Sequence, residues 1–335
     1  MKTRLIGSAV VALVVCGAAG LLRAAEDPPA WAYNIAPAPA PGAPPAPGAP
    51  PAQAVPDEGT ARRLVGAGSA FTLTEIRNAF GPADWYPGDH PLMPDIVAHG
   101  RRPDVRACSL CHYPNGKGRP ENAGVAGLPV EYFRQTMADF KMGLRKSAEP
   151  RKANTNTMIA IARGMTDEDV TAAAEYFGSM KWTSWIRVVE AERVPKTRSQ
   201  GGMFLVVEGH ETEPIGRRII ETPEDAERTE LLRDPRGGFI AYVPVGSVKR
   251  GEALVKTGGN GRTERCGVCH GADLKGLGPV PPLAGRSPSY LMRQLYDIQQ
   301  GARHGVWAEL MAPAVARLTN DDMLAISAYL SSLAP

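Results

Sequence analysis

Apolar residues recur at helical spacing in two stretches, 131–142 and 289–300, with Pro129 and Pro288 shortly before or at the start. Two further helices are announced by their caps. Thr166-Asp167-Glu168-Asp169 and Thr319-Asn320-Asp321-Asp322 put a threonine ahead of an acidic first turn, and helical periodicity continues through 170–180 and 323–333. Between these regions the pattern changes. Trp185–Glu190, Met203–Val207 and Phe239–Val243 are β-rich and separated by Pro and Gly, while 221–225 reads as a charged turn or short helix. The expected fold is therefore mainly α: two helical regions with a small β-rich segment between them.

The N-terminal pattern is of another kind. Lys2 and Arg4 precede an apolar run from Leu5 to Leu22, and the chain then turns polar through Arg23-Ala24-Ala25-Glu26-Asp27-Pro28. Residues 1–25 read as an export signal cleaved after Ala24 or Ala25. The run is close to the shortest that crosses a hydrocarbon core of ~30 Å, so a retained membrane anchor is the alternative. Val15 precedes Cys16 where lipidation requires a small residue, which argues against a lipid anchor. From Ala36 to Pro56 the chain is nearly all Pro and Ala, which supports neither helix nor sheet. Residues 26–56 are expected to form an extended linker, with the first folded domain at 57–182, the β-rich insert at 183–246 and the second domain at 247–335.

Composition then narrows the class. The 335 residues are 43% hydrophobic and 22% charged, enough for two domains with real cores. The formal charge is +3, and removing the signal takes away Lys2, Arg4 and Arg23 and leaves 35 basic against 35 acidic residues. Such a balance argues against nucleic-acid binding, which needs a basic surface. Only 6% of residues are aromatic, so something else is expected to fill part of the core.

Cysteine placement supplies that something. Apart from Cys16, the cysteines occur as Cys108-Ser109-Leu110-Cys111-His112 and Cys266-Gly267-Val268-Cys269-His270. Two thiols three residues apart on one turn can form thioethers to the two vinyl groups of a haem, with the following histidine beneath the iron. A thioredoxin-like pair needs no histidine there, and a zinc site would need four ligands to converge. Two covalently bound haem c groups are expected, held by Cys108 and Cys111 and by Cys266 and Cys269, with His112 and His270 as axial ligands.

With these motifs the chain resembles a class I, di-haem c-type cytochrome over about 95–180 and 248–335. The second stretch has Gly251-Glu252-Ala253-Leu254-Val255, Pro281-Pro282-Leu283-Ala284-Gly285, Tyr290-Leu291-Met292, Gly301-Ala302-Arg303, Met311-Ala312-Pro313 and Leu318-Thr319. The first echoes it with Ala126-Gly127, Tyr132, Gly143-Leu144-Arg145 and Met158, at a period near 158 residues. The resemblance implies a methionine thioether as the sixth iron ligand. Met311 matches the family segment M-x-P-x-x-x-x-L-[ST]. Met158 has the same seven-residue offset from Met165-Thr166, which selects it over Met137, Met142 and Met165. His99 and His304 are the distant substitutes.

The family also implies a backbone carbonyl about twelve residues after the histidine as acceptor for its other ring nitrogen. That position is Pro282 in the second repeat and Gly124 in the first. Gly124, together with a longer loop before Met158, leads us to expect a looser, more exposed first haem of lower potential, with electrons running from the first domain to the second. The insert reads as a brace between the domains or as a docking surface for a redox partner.

Two His/Met sites leave no open iron position. The expected role is an exported electron carrier, periplasmic or tethered by its N-terminus, between a dehydrogenase and an oxidase or other acceptor. The alternative is a di-haem enzyme, either a peroxidase or a dehydrogenase of small donors. A cytochrome subunit of a dehydrogenase lies between the two.

Overall fold

The computed structural model describes residues 27–35 and 59–335; the expected signal or anchor and the Pro/Ala run from Ala36 to Pro56 lie outside these. A short helix, α1 (Ala30–Tyr33), corrects the expectation of linker from residue 26 onward. Ala32 and Tyr33 are buried, the Tyr33 hydroxyl donates to Asp297 at 2.6 Å, and Arg293 donates to the Ala32 carbonyl at 2.6 Å. Trp31 and Tyr33 are large enough to seat the turn, and the Pro/Ala composition begins only after them.

The segment from residue 59 holds α2 (Leu73–Ile76), whose start is closed by a Thr72–Glu75 capping box. It gathers around Trp85, which packs with Leu64, Leu73, Ile76 and Leu232 and donates its indole N–H to the Leu232 carbonyl at 2.8 Å. The first repeat follows with α3 (Asp95–Ala98), α4 (Cys108–His112), α5 (Val130–Met142), α6 (Ala153–Gly164) and α7 (Asp167–Gly178). The apolar face of α5 (Phe133, Met137, Phe140) meets Ala173 and Phe177 of α7 in one buried cluster. Thr166 and Asp169 form the expected capping box.

The insert contains β1 (Ile186–Glu190), β2 (Arg193–Pro195), β3 (Thr197–Gln200), β4 (Met203–Val206), β5 (Thr212–Pro214), β6 (Ile220–Pro223) and β7 (Phe239–Val243). Its main sheet has the order β1-β7-β6, with β1 parallel to β7 (Ile186 opposite Phe239) and β6 antiparallel to it. Strand β6 takes 221–223 of the charged turn or short helix expected at 221–225, and a bend at Glu224-Asp225 then leads into a helical turn, Glu227–Leu231. Glu221 is buried in β6 because its carboxylate accepts from the Ser287 hydroxyl and the Ser289 amide, both at 2.9 Å. These groups open a helix of the second repeat, where orphan amides favour an anion.

The second repeat comprises α8 (Ser247–Thr257), α9 (Gly267–His270), α10 (Pro288–Gln299), α11 (Val306–Glu309), α12 (Ala312–Val315) and α13 (Asn320–Ser332). Helices α8 and α13 cross closely at Gly251, where a Cβ would lie 1.9 Å from the Ala325 carbonyl oxygen. The repeats meet through a pseudo-symmetric exchange. Arg145 of the first donates to Tyr290 (3.2 Å) and Gln294 (2.9 Å) of the second, while Arg303 donates to Tyr132 (2.9 Å) and to the same Gln294 oxygen (2.9 Å).

Candidate functional site

In the first repeat α4 carries Cys108, Cys111 and His112 on a single turn. The Ser109 hydroxyl donates to the Val97 carbonyl at 2.8 Å and fastens this turn to α3. His112 is half-buried, and the desolvation of its ring pushes its pKa down and favours the neutral form. Nδ1 lies 2.8 Å from the Ala123 carbonyl oxygen and donates to it, so Nε2 keeps the lone pair that a metal requires. Burial also pushes the Cys108 thiol up to about 12. The residue after the histidine, Tyr113, takes a left-handed backbone (φ 61°), which turns the chain away and leaves the ring facing inward.

That ring faces a cavity of about 280 Å³ whose walls include both cysteines, Met137, Met158, Met165 and Phe177. Its far end is polar and is shared with the second repeat through Tyr290, Arg293 and Asp297. Arg145 and Lys152 are buried on this wall. The hydrogen bonds of Arg145 go to neutral oxygens, and burial pushes Lys152 down to about 7, with the Tyr33 carbonyl 3.5 Å away. Buried cations without a carboxylate on them are costly unless an anion completes the site. A haem brings an apolar ring, two vinyl carbons for the thiols, iron for His112 and two carboxylates for the cations. The first cavity fits it on every count.

In the second repeat α9 presents His270, buried and neutral for the same reason, with Nδ1 donating to the Pro281 carbonyl at 2.8 Å. Cys266 and Met311 pack against one core cluster. The segment bearing Met311 is tied on two sides. Gln299 donates to the Val315 and Leu318 carbonyls (2.7 and 2.8 Å), and Thr263 donates to the Ala314 carbonyl at 2.7 Å. Cys269 is exposed, as are Val268 within the motif and Val306 and Leu310 ahead of Met311. Exposed apolar side chains within the motif and ahead of Met311 also fit a haem, one more open to solvent than the first.

Several expectations need correction. The carbonyl acceptors are Ala123 and Pro281, each one residue before the expected Gly124 and Pro282. The oxygen belongs to the peptide that Gly124 or Pro282 completes, so the following residue stiffens the plane without owning the acceptor. Gly124 is not loose: a Cβ there would lie 2.3 Å from the Trp182 ring, and Arg286 holds its carbonyl at 3.0 Å. The more exposed motif is the second. The two methionines also differ in setting, since Met158 sits within α6 whereas Met311 is the N-cap residue of α12. His99 and His304 do not line the first cavity. The polar wall of Arg145, Lys152 and Arg293 is not among the features expected from sequence. Its only trace in the sequence was the matched pair Gly143-Leu144-Arg145 and Gly301-Ala302-Arg303.

The cytochrome c family model matches residues 98–181 and 248–334, just over half of the chain. The thiosulfate dehydrogenase electron acceptor of Stutzerimonas stutzeri is 24% identical over 70% of this chain and 82% of its own length. Cytochrome c4 of Azotobacter vinelandii is 25% identical over 68% of this chain and 84% of the relative. Cytochrome c-554(548) of Halomonas halodenitrificans is 39% identical over 22% of this chain and 90% of the relative. Among solved structures, reduced cytochrome c4 from Pseudomonas stutzeri aligns with a TM-score of 0.44 at 21% identity, over 68% of this chain and 93% of that one.

Proposed function

The chain belongs to the cytochrome c family, and from that premise we propose that it is exported and carries electrons from a dehydrogenase to a terminal acceptor outside the cytoplasm. It is a di-haem c-type cytochrome, an electron carrier with two covalently bound haem c groups. The di-haem enzyme alternative is not favoured, because the relatives are named as cytochromes and as an electron acceptor. In our assignment Cys108 and Cys111 hold one haem and Cys266 and Cys269 the other. His112 with Met158, and His270 with Met311, are the axial pairs. We place the cytochrome domains at 57–182 and 247–335, joined by the insert at 183–246.

When bound, each haem supplies a one-electron couple at iron. The chain's contribution is to hold that couple still. The Ala123 and Pro281 carbonyls fix the tautomer and orientation of each histidine, Met158 and Met311 would supply the thioethers, and Arg145 with Lys152 would meet the haem carboxylates at the seam. The observation that supports the reading is the pair of motif histidines, each with Nδ1 committed to a backbone oxygen. The naming of one relative as an electron acceptor of thiosulfate dehydrogenase supports a dehydrogenase as donor. Among the described residues no helix is long and apolar enough to cross a membrane. Export therefore rests on residues 1–25, and Edman sequencing of the protein from the periplasmic fraction should begin near Glu26. Functionally, the reduced protein should pass two electrons per chain to an oxidised partner and turn over peroxide slowly. Rapid peroxide reduction would contradict the carrier reading.

A further inference from the structure

The two loops that accept the histidine protons are joined by one buried side chain, Arg286. It is 3% exposed and lies five residues after Pro281, the acceptor for His270. Its guanidinium crosses into the first repeat, where Nη1 donates to the Gly124 carbonyl and Nη2 to the Ala126 carbonyl, both at 3.0 Å. Gly124 follows Ala123, the acceptor for His112, so the peptide held by Arg286 adjoins the one that orients the His112 ring. Trp182 closes over the same point. Its ring lies 3.9 Å from the guanidinium carbon, and its Nε1 donates to the Gly285 carbonyl at 3.1 Å. Ser331 fixes the other side by donating to the Arg286 carbonyl at 2.6 Å.

Repeat symmetry does not require this arrangement, because the position 158 residues earlier is Leu128. The hydrogen-bond partners of Arg286 are carbonyls rather than carboxylates, and burial pushes its pKa down, to about 10. A buried cation held this way is expensive, and this one occurs where the two histidine loops meet.

We propose that Arg286 is a positioning residue that locks the His112 acceptor loop and raises the reduction potential of the first haem relative to the second. A fixed positive charge in a low-dielectric interior disfavours the oxidised, more positive iron. The planar fork also holds two carbonyls at once, which lysine cannot do. Arg286 bonds directly to the peptide beside Ala123, whereas its link to the Pro281 carbonyl runs through the chain, so the first haem takes the larger effect.

The proposal rests on the two-haem reading, which intact mass checks separately in every variant. Arg286→Gln and Arg286→Lys would be made in the full holoprotein, and each haem's potential followed through its own methyl resonances during a redox titration. The glutamine variant should lower the first potential enough to move the electron equilibrium between the haems at least about threefold toward the second. The lysine variant should fall between the parent and glutamine. If the glutamine variant does not fold, a first potential below the parent value in the lysine variant supports the proposal. An unchanged first potential, or equal shifts at both haems, overturns it.

Discussion

Replacing Gly251 by alanine should destabilise the second repeat selectively. The Cβ would meet the Ala325 carbonyl oxygen at 1.9 Å, the Ala325 carbonyl carbon at 2.6 Å and the Tyr329 Cβ at 2.7 Å. These are backbone and backbone-proximal atoms of α13, so no side-chain rotation relieves the clash and the helices must part by about 1 Å. Helix α13 has little room to yield, because Met323, Ile326 and Ala328 on its other faces are all buried. Overpacking of this kind costs about 3 kcal/mol, while alanine in place of glycine within a helix returns about 1 kcal/mol. The net loss is about 2 kcal/mol, or roughly 8–16 °C in the melting of that repeat. Helix α8 is also bonded to the Cys266 turn, since the Cys266 amide donates to the Val255 carbonyl at 3.1 Å. Loosening the crossing should therefore free Met311 from iron before Met158. Urea titration, followed through the thioether–iron absorption of the ferric protein and through backbone circular dichroism, reads both effects. A loss below about 0.5 kcal/mol, or equal shifts of both haem transitions, would refute the reasoning.

Cys266→Ala should weaken covalent attachment of the second haem alone, and intact mass showing two full covalent haems would contradict the assignment of that motif. Asp322→Asn should cost about 2 kcal/mol by weakening the Thr319 capping box and the bonds from Arg250 (2.6 Å) and Arg262 (2.7 Å). Burial raises the Asp322 pKa, but the Thr319 amide and the two arginines outweigh it and hold it below 3.8. This stabilisation is present above the unfolded value near 3.9 and is lost as pH falls through the lower folded value. Acid unfolding of the variant should be less steep than that of the parent, and identical pH profiles would rule the linkage out. The haem at His112, whose cysteines are the less exposed pair, should have the higher potential, by about 60 mV or one decade in the electron equilibrium. A redox titration of Met158→His and Met311→His variants assigns the two components, and a lower first potential would restore the order expected from sequence.

Local rules made much of this molecule legible. Thr166 and Thr319 cap the helices they were expected to cap, and α5 and α10 lie within a residue of their apolar periodicity. The motif cysteines and histidines stand at a spacing that has few other chemical uses. What failed depends on partners distant in sequence. Glu221 looks like a turn residue until Ser287 and Ser289, 66 and 68 positions later, satisfy its carboxylate. Gly124 looks like a loose hinge until Trp182 and Arg286 close on it. Trp31 and Tyr33, beside a Pro/Ala run, gave no sign that Asp297 and Arg293 would hold their turn in place. The acceptor carbonyls were missed by one residue because a backbone oxygen has no side-chain signature.

In our proposal each repeat closes its iron between a histidine and a methionine, as an electron carrier requires. The most direct test is the thioether–iron absorption band of the fully oxidised protein, quantified per chain at neutral pH. Two equivalents are predicted, one each for Met158 and Met311. One equivalent accompanied by a high-spin haem would contradict the account and open an iron position for catalysis.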